Sequence, residues 1–185
     1  QKGGSRALGI AESYSGRKTS RLCGVVMRRD LHIDGFIAGE VTVGGDDATR
    51  EIIRMIHALD RPDINLVMLS GCVIAWFNII SPNFISRICS IPVICVSYED
   101  SEGLDGHISR HFPGDGDRLS RYHELGDRIP VLLPSGFTLF ARGWGLTEGE
   151  TIRACRIFTI HGKVPEPLRV ARICARSLLQ PLCTD

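Results

Sequence analysis

A chain of 185 residues with a net charge of +1 and 43% hydrophobic residues is long enough for one domain with a substantial core. Its composition excludes a disordered polymer, and its near-neutral charge excludes capture of nucleic acid by overall field alone. No apolar run reaches the roughly 18 residues that cross a bilayer, and Gln1 to Arg6 lacks an apolar signal core, so the expectation is a cytoplasmic protein without a membrane partner.

The first apolar run, Ala7 to Tyr14, predicts a strand. Arg21 to Arg28 follows with Leu22, Val25, Val26 and Met27 nearly continuous, which suits a strand buried on both faces. Leu31 to Val43 reads as a third strand, and the polar breaks Ser15-Gly16-Arg17-Lys18 and Arg28-Arg29-Asp30 read as hairpin connections. The period then changes. Ala48, Ile52, Ile53, Ile56 and Leu59 repeat at helical spacing from Asp47 to Leu59, with Asp46 or Asp47 placed to cap and Pro62 just beyond the end. Leu66 to Leu69 is a compact buried strand, Pro82 to about Ser90 a helix, and Pro92 to Ser97 another strand. From Glu99 to Asp127 acids outnumber bases, and Gly103, Gly106, Pro113, Gly114 and Gly116 break the stretch into short helices and loops. Phe137 to Trp144 predicts a strand, Thr147 to Phe158 a helix, and Pro167 to Gln180 a last helix with proline at its first position. Antiparallel strands followed by alternating strand and helix units imply an α/β fold: one domain over 1–185, with a ribonuclease H-like mixed sheet covered by helices.

The seven cysteines show neither a C-x-x-C pair nor paired histidines at finger spacing, and most lie in apolar runs such as Leu22-Cys23-Gly24-Val25. They read as small buried hydrophobes, and their odd number argues against a complete disulfide framework. Arginine outnumbers lysine, and six of the basic residues gather from Arg153 onward.

Several phrases together resemble a mainly archaeal family of unknown function that is similar to endonuclease V. They are Leu8-Gly9-Ile10 with Glu12-Ser13, Gly24-Val25-Val26-Met27-Arg28, Ile33-Asp34-Gly35, and Val41-Thr42-Val43 leading to Asp46-Asp47-Ala48-Thr49. Met68-Leu69-Ser70-Gly71 with Phe77-Asn78, and Pro165-Glu166-Pro167-Leu168-Arg169-Val170-Ala171, complete the set, which spans essentially the whole chain. The resemblance implies the ribonuclease H-like fold, an archaeal source, and a link to nucleic acid processing through Mg²⁺ or Mn²⁺ held by carboxylates. Three positions depart from the family pattern. Where the pattern has aspartates at the ends of the first and fourth strands, this chain has Ala11 and Ser70, and Arg172 replaces the histidine of the last helix.

Glu12 adjoins the first lost acid, but alternation along a strand turns it to the opposite face unless a bulge re-aims it. Asp46 and Asp47 open a helix, where capping competes with metal binding. If cleavage survives, Glu12 and Asp47 are the expected catalytic and metal-binding carboxylates, with Asp46 as a further ligand and Glu166 a weaker one. Asp34 reads as a turn-stabilising residue, and Glu166 with Arg169 as an ion pair anchoring the last helix. Ser70 suits a phosphate or a water rather than nucleophilic attack. Arg169, Arg172 and Arg176 form one helical stripe that could follow a phosphate backbone of DNA or RNA, although an exposed basic face is the commoner meaning. His107, His111 and His123 read as solvated helix residues, and Tyr14, Trp76, Phe77 and Trp144 as mostly core aromatics with some capacity to stack bases.

The leading expectation is therefore a nucleic-acid-associated, endonuclease V-like protein with an eroded metal site, acting at most as a weak Mg²⁺- or Mn²⁺-dependent phosphodiesterase. A non-catalytic module binding nucleic acid or protein, or a small-molecule role on the same fold, is the alternative.

Overall fold

The computed structural model describes residues 5–14, 16 and 18–179. Ser15 and Arg17 of the expected first turn, Gln180 at the end of the expected last helix, and Cys183 lie outside the described residues. Strands β1 (Arg6–Ser13), β2 (Thr19–Arg28) and β3 (Ile33–Thr42) form the expected antiparallel meander. β4 (Ile64–Ser70) lies parallel to β1, and β7 (Val93–Ser97) lies parallel to β4. β9 (Thr138–Trp144) runs antiparallel to β7 and carries β8 (Ile129–Leu132) on its outer side. The resulting seven-stranded mixed sheet has the order β3-β2-β1-β4-β7-β9-β8.

Two elements escape the sequence pattern. β8 is four residues long and contains Pro130, which an edge strand tolerates because the missing N–H interrupts no interior ladder. The hairpin of β5 (Val73–Ile74) and β6 (Asn78–Ile79) has strands of two residues each, too short for any periodicity to register.

Alternation along β1 sets up two cores. Leu8 and Ile10 face α1 (Ala48–Leu59) and α2 (Pro82–Cys89), where Ile52, Met55, Ile56 and Ile85 join one buried cluster. The short helices α3 (Asp105–His111) and α4 (Gly116–His123) lie on this side, through Ile108 and Leu119. Ala7 and Ala11 face the other way. There Met68, Ile94 and Val96 pack on Cys155 and Phe158 of α5 (Glu148–Phe158), while Ala11, Cys23, Val25 and Met27 pack on Ala171 and Ala175 of α6 (Glu166–Ser177). Each fully buried leucine or isoleucine contributes about 1.5–3 kcal/mol, so the two-sided burial is what makes the strands near-continuous apolar runs.

α6 sits close to the sheet because of Gly9. A Cβ there would fall 2.5 Å from Pro167 Cβ and 2.6 Å from its carbonyl carbon, so a side chain would push the helix away. Thr147 caps α5 in a capping box with Glu150.

The cysteines correct the expectation that all are isolated hydrophobes. Cys23 of β2 is bonded to Cys174 of α6, and Cys72 to Cys95 of β7, with Cα separations of 6.0 and 6.2 Å. Partners 151 and 23 residues apart carry no spacing signature that a linear reading can detect. Cys89 and Cys155 remain free among the described residues.

Candidate functional site

Because β1, β4 and β7 are parallel, their carboxyl ends meet at one edge of the sheet, bringing Glu12, Ser70 and Ser97 to the place where open α/β sheets receive ligands. A cavity of about 940 Å³ opens there. At its floor, Arg172 of α6 donates from Nη2 to Ser70 Oγ at 3.1 Å, and its guanidinium lies 5.3 Å from the centre of the Tyr98 ring. Burial pushes the Tyr98 phenol up, and its hydroxyl, enclosed beside Ser70 and Arg172, completes no hydrogen bond. Two further arginines form the wall. Burial and then the neighbouring Arg128 charge lower the basicity of Arg142, whose Nε donates to the Gly126 carbonyl at 2.7 Å. Arg128 lies 4.9 Å from the Phe140 ring centre and donates to Ser97 Oγ and the Glu99 carbonyl. Glu99 and Asp100 form an exposed acidic lip above these cations.

The sheet separates the remaining acids from this floor. Ala11 belongs to the cluster under α6, and Ser70 meets Arg172 on that same side. Glu12 follows strand alternation to the opposite side, since the one register shift along β1 and β4 falls at Arg6/Ala7. Its Oε1 accepts from Ser20 Oγ at 2.6 Å and from the Ala75 amide at 3.0 Å.

Asp47 is also committed. Its carboxylate accepts from the Thr42 amide, from Thr42 Oγ1 at 2.7 Å and from Asn78 Nδ2 at 2.7 Å. Burial pushes this carboxyl up, but those hydrogen bonds outweigh it and hold the group below the usual aspartate range. The capping expected at the helix start is not made by Asp47, whose side chain forms no cap bond to α1. Asn78 Oδ1 instead accepts from the Ala48 amide at 3.1 Å, so Asp47 orients the residue that caps. Asp46 is exposed on the adjoining turn.

The other candidates disperse. Asp34 pairs with Arg6 and Arg61, and the Arg6 guanidinium beside it holds its carboxyl low. Glu166 forms the expected ion pair with Arg169, bidentate and within α6 itself. The basic stripe is therefore split: Arg169 is paired, Arg172 turns into the cavity, and Arg176 stays exposed. His123 pairs with Asp105, while His111 packs in an aromatic cluster.

That cluster surrounds a strained turn. Ala75, Trp76 and Phe77 all have positive φ, at 43°, 59° and 62°, a conformation that disfavours residues bearing a Cβ. The turn is held by the Gly44 amide donating to the Ala75 carbonyl at 2.7 Å, and by Arg118 donating to the Phe77 carbonyl. Arg118 is only 6% exposed and also reaches the carbonyls of Gly44 and Gly45 at 3.1 Å. Trp76 at the apex is 48% exposed, as is Tyr14, which corrects the expectation that these two are core aromatics.

The donor set does not fit a divalent cation. Among the described residues no group of three or more His, Cys, Asp or Glu side chains is placed to hold one. A hard cation needs several oxygen ligands together, and here the strand-end position faces a guanidinium.

A family model described as endonuclease dU matches residues 3–179. The chain belongs to the endonuclease dU family. Its archaeal relatives include a UPF0215 protein of Pyrobaculum calidifontis, 34% identical over 95% of this chain and 97% of the relative, and one of Thermoplasma volcanium, 31% identical over 96% and 91%. Among solved structures, a protein of unknown function from Archaeoglobus fulgidus superposes with a TM-score of 0.83 at 25% identity, covering 94% of this chain and 98% of that one. Human endonuclease V superposes with a TM-score of 0.67 at 15% identity over 96% and 85%, so the ribonuclease H-like α/β fold is shared. Among the described residues, no helix of this endonuclease dU family member is long and apolar enough to cross a membrane.

Tyr98, Arg128 and Arg142 were not singled out from sequence. The residue following each parallel strand is a usable signal, and it points to Tyr98 directly. Arg142, inside β9 among apolar neighbours, was legible as a charge out of place.

Proposed function

We propose that this endonuclease dU family member is a cytoplasmic protein that grips single-stranded DNA or RNA at the carboxyl edge of its sheet without a resident metal ion. The observation that carries this reading is the contact of Arg172 with Ser70. A fixed guanidinium occupies the neighbourhood where a cation held by carboxylates would otherwise supply the positive charge, and it offers a planar fork to a phosphate or a carbonyl edge. Arg142 and Arg128 extend the cationic wall, while the lip of Glu99 and Asp100 repels a phosphate chain and directs it past α6, where Arg176 is exposed. The solved endonuclease V complex of Ciona intestinalis, bound to DNA containing inosine, and the description of the family as endonuclease dU make inosine- and deoxyuridine-containing strands the first probes.

The test is calorimetric titration of the native protein with such oligonucleotides, with and without Mn²⁺ or Mg²⁺. Metal-independent, salt-sensitive binding that weakens in Arg172→Gln is the expected result. Mn²⁺-dependent cleavage that is lost in Glu12→Gln or Asp47→Asn would overturn it in favour of a residual nuclease resting on those two carboxylates. The volume of the cavity and its acidic lip favour a second reading, a pocket for a small ligand. Binding of a nucleoside monophosphate with no binding of any strand would select that one.

A further inference from the structure

We propose that Trp76 is a stacking platform for an unpaired nucleobase, mounted on a strained turn beside the carboxyl edge of the sheet. The inference rests on the single-strand reading above and names the surface that would hold the base rather than the phosphate.

Three observations converge on this residue. Trp76 exposes 48% of its surface although it stands next to the buried Ala75. It sits in the middle of three successive left-handed residues, each costing roughly 1–2 kcal/mol, and such strain persists only where surrounding bonds over-determine it. Those bonds are present on every side. The Ala75 amide is held by Glu12 Oε1, the Ala75 carbonyl by the Gly44 amide, and the Phe77 carbonyl by the buried Arg118. Glu12, which the cleft chemistry leaves unused, thus becomes a positioning residue for the turn.

The indole is braced as well as presented. His111 lies 4.8 Å from Trp76 at an interplanar angle of 60°, and Phe77 lies 5.4 Å away at 75°, so both support it edge to face. An aromatic braced by its neighbours and still half exposed has area left for a flat partner. Every nucleobase offers such a face regardless of sequence. Tyr14, two residues beyond Glu12 and equally exposed, supplies a second aromatic surface at the same strand end.

The test uses the full chain and a short single-stranded oligonucleotide, alongside the same strand made abasic. Trp76→Ala should weaken binding of the normal strand by between about 5-fold and about 100-fold, the range for losing one stacked base, while Trp76→Phe keeps most of it. The abasic strand should bind wild type and Trp76→Ala alike. In a Trp144→Phe background, where Trp76 is the single indole, the normal strand should quench fluorescence and the abasic strand should not. Equal affinity of wild type and Trp76→Ala for the normal strand, with Arg172→Gln still weakened, would overturn the platform and leave the single-strand reading intact. Absence of strand binding by the wild type would overturn both.

Discussion

Replacing Ala11 by aspartate is the obvious way to rebuild the acid expected at the end of β1, and the packing predicts that it damages the fold instead. Ala11 is 2% exposed and faces Ala171 and Ala175, both at 0%. A carboxylate placed there loses its water against the two alanines, while the nearby Arg172 guanidinium is already bonded to Ser70, so its pKa should rise by about 3 units. The sign follows from linkage. A carboxyl whose folded pKa lies above its unfolded value of about 3.9 costs little stability below that value, and the cost grows as pH rises until the folded pKa near 7 is passed. The electrostatic loss should therefore be about 1 kcal/mol at about pH 4.5 and about 4 kcal/mol at about pH 8, at about 1.4 kcal/mol per unit. Added bulk against α6 costs a further 1–3 kcal/mol, roughly independent of pH, which Ala11→Val measures separately. Urea unfolding followed by circular dichroism at the two pH values reads the difference directly. A cost below about 1 kcal/mol that does not change with pH would mean that this face of β1 is open to solvent, and would refute the argument. Adding Ser70→Asp does not rescue the site, because the new carboxylate would meet Arg172, now 3.1 Å from Ser70, and pair with it.

Four other outcomes are expected. In denatured, unreduced protein Cys89 and Cys155 should alkylate while Cys23, Cys72, Cys95 and Cys174 should not, and alkylation of all six would remove both disulfides. Cys155, whose thiol burial pushes up to about 12, should resist iodoacetamide in the native protein at neutral pH, as mass spectrometry of the alkylated peptides would show. Arg118→Leu should lower stability by about 3 kcal/mol, because it strands the carbonyls of Gly44, Gly45 and Phe77, and loss of Trp76 fluorescence anisotropy should accompany it. Thr147→Ala should cost about 1 kcal/mol in urea unfolding by removing the cap of α5.

The pattern of apolar residues was sufficient for most of the sheet. β2 reads as a buried strand because both of its faces are covered, and α1 as a helix because Ala48, Ile52, Ile53, Ile56 and Leu59 repeat at helical spacing. The site was legible in part. Strand alternation alone placed Glu12 away from Ala11, and it does lie on the other side of the sheet. What stayed hidden depends on contacts between distant parts of the chain. Arg172 looked like one member of a basic stripe, and its meeting with a serine 102 residues earlier appears only when α6 lies across the sheet. Asp47 looked like a cap because helix starts favour carboxylates, yet Asn78 from another hairpin takes that role. Cys23 and Cys174 looked like packing atoms because no local spacing records a bond between β2 and α6.

α6 is the last element of the described chain, and it both covers the first two strands and delivers Arg172. During synthesis the meander therefore emerges with Ala11, Cys23, Val25 and Met27 bare on one side, and they stay bare until the ribosome has added roughly 150 further residues, many seconds of elongation. A chain stalled before α6 would be adhesive and would lack Arg172 at the cavity floor. The completed chain closes that surface, recruits Arg172 and gains the Cys23–Cys174 bond with the same helix, so maturation of the core and completion of the cavity floor are a single late event.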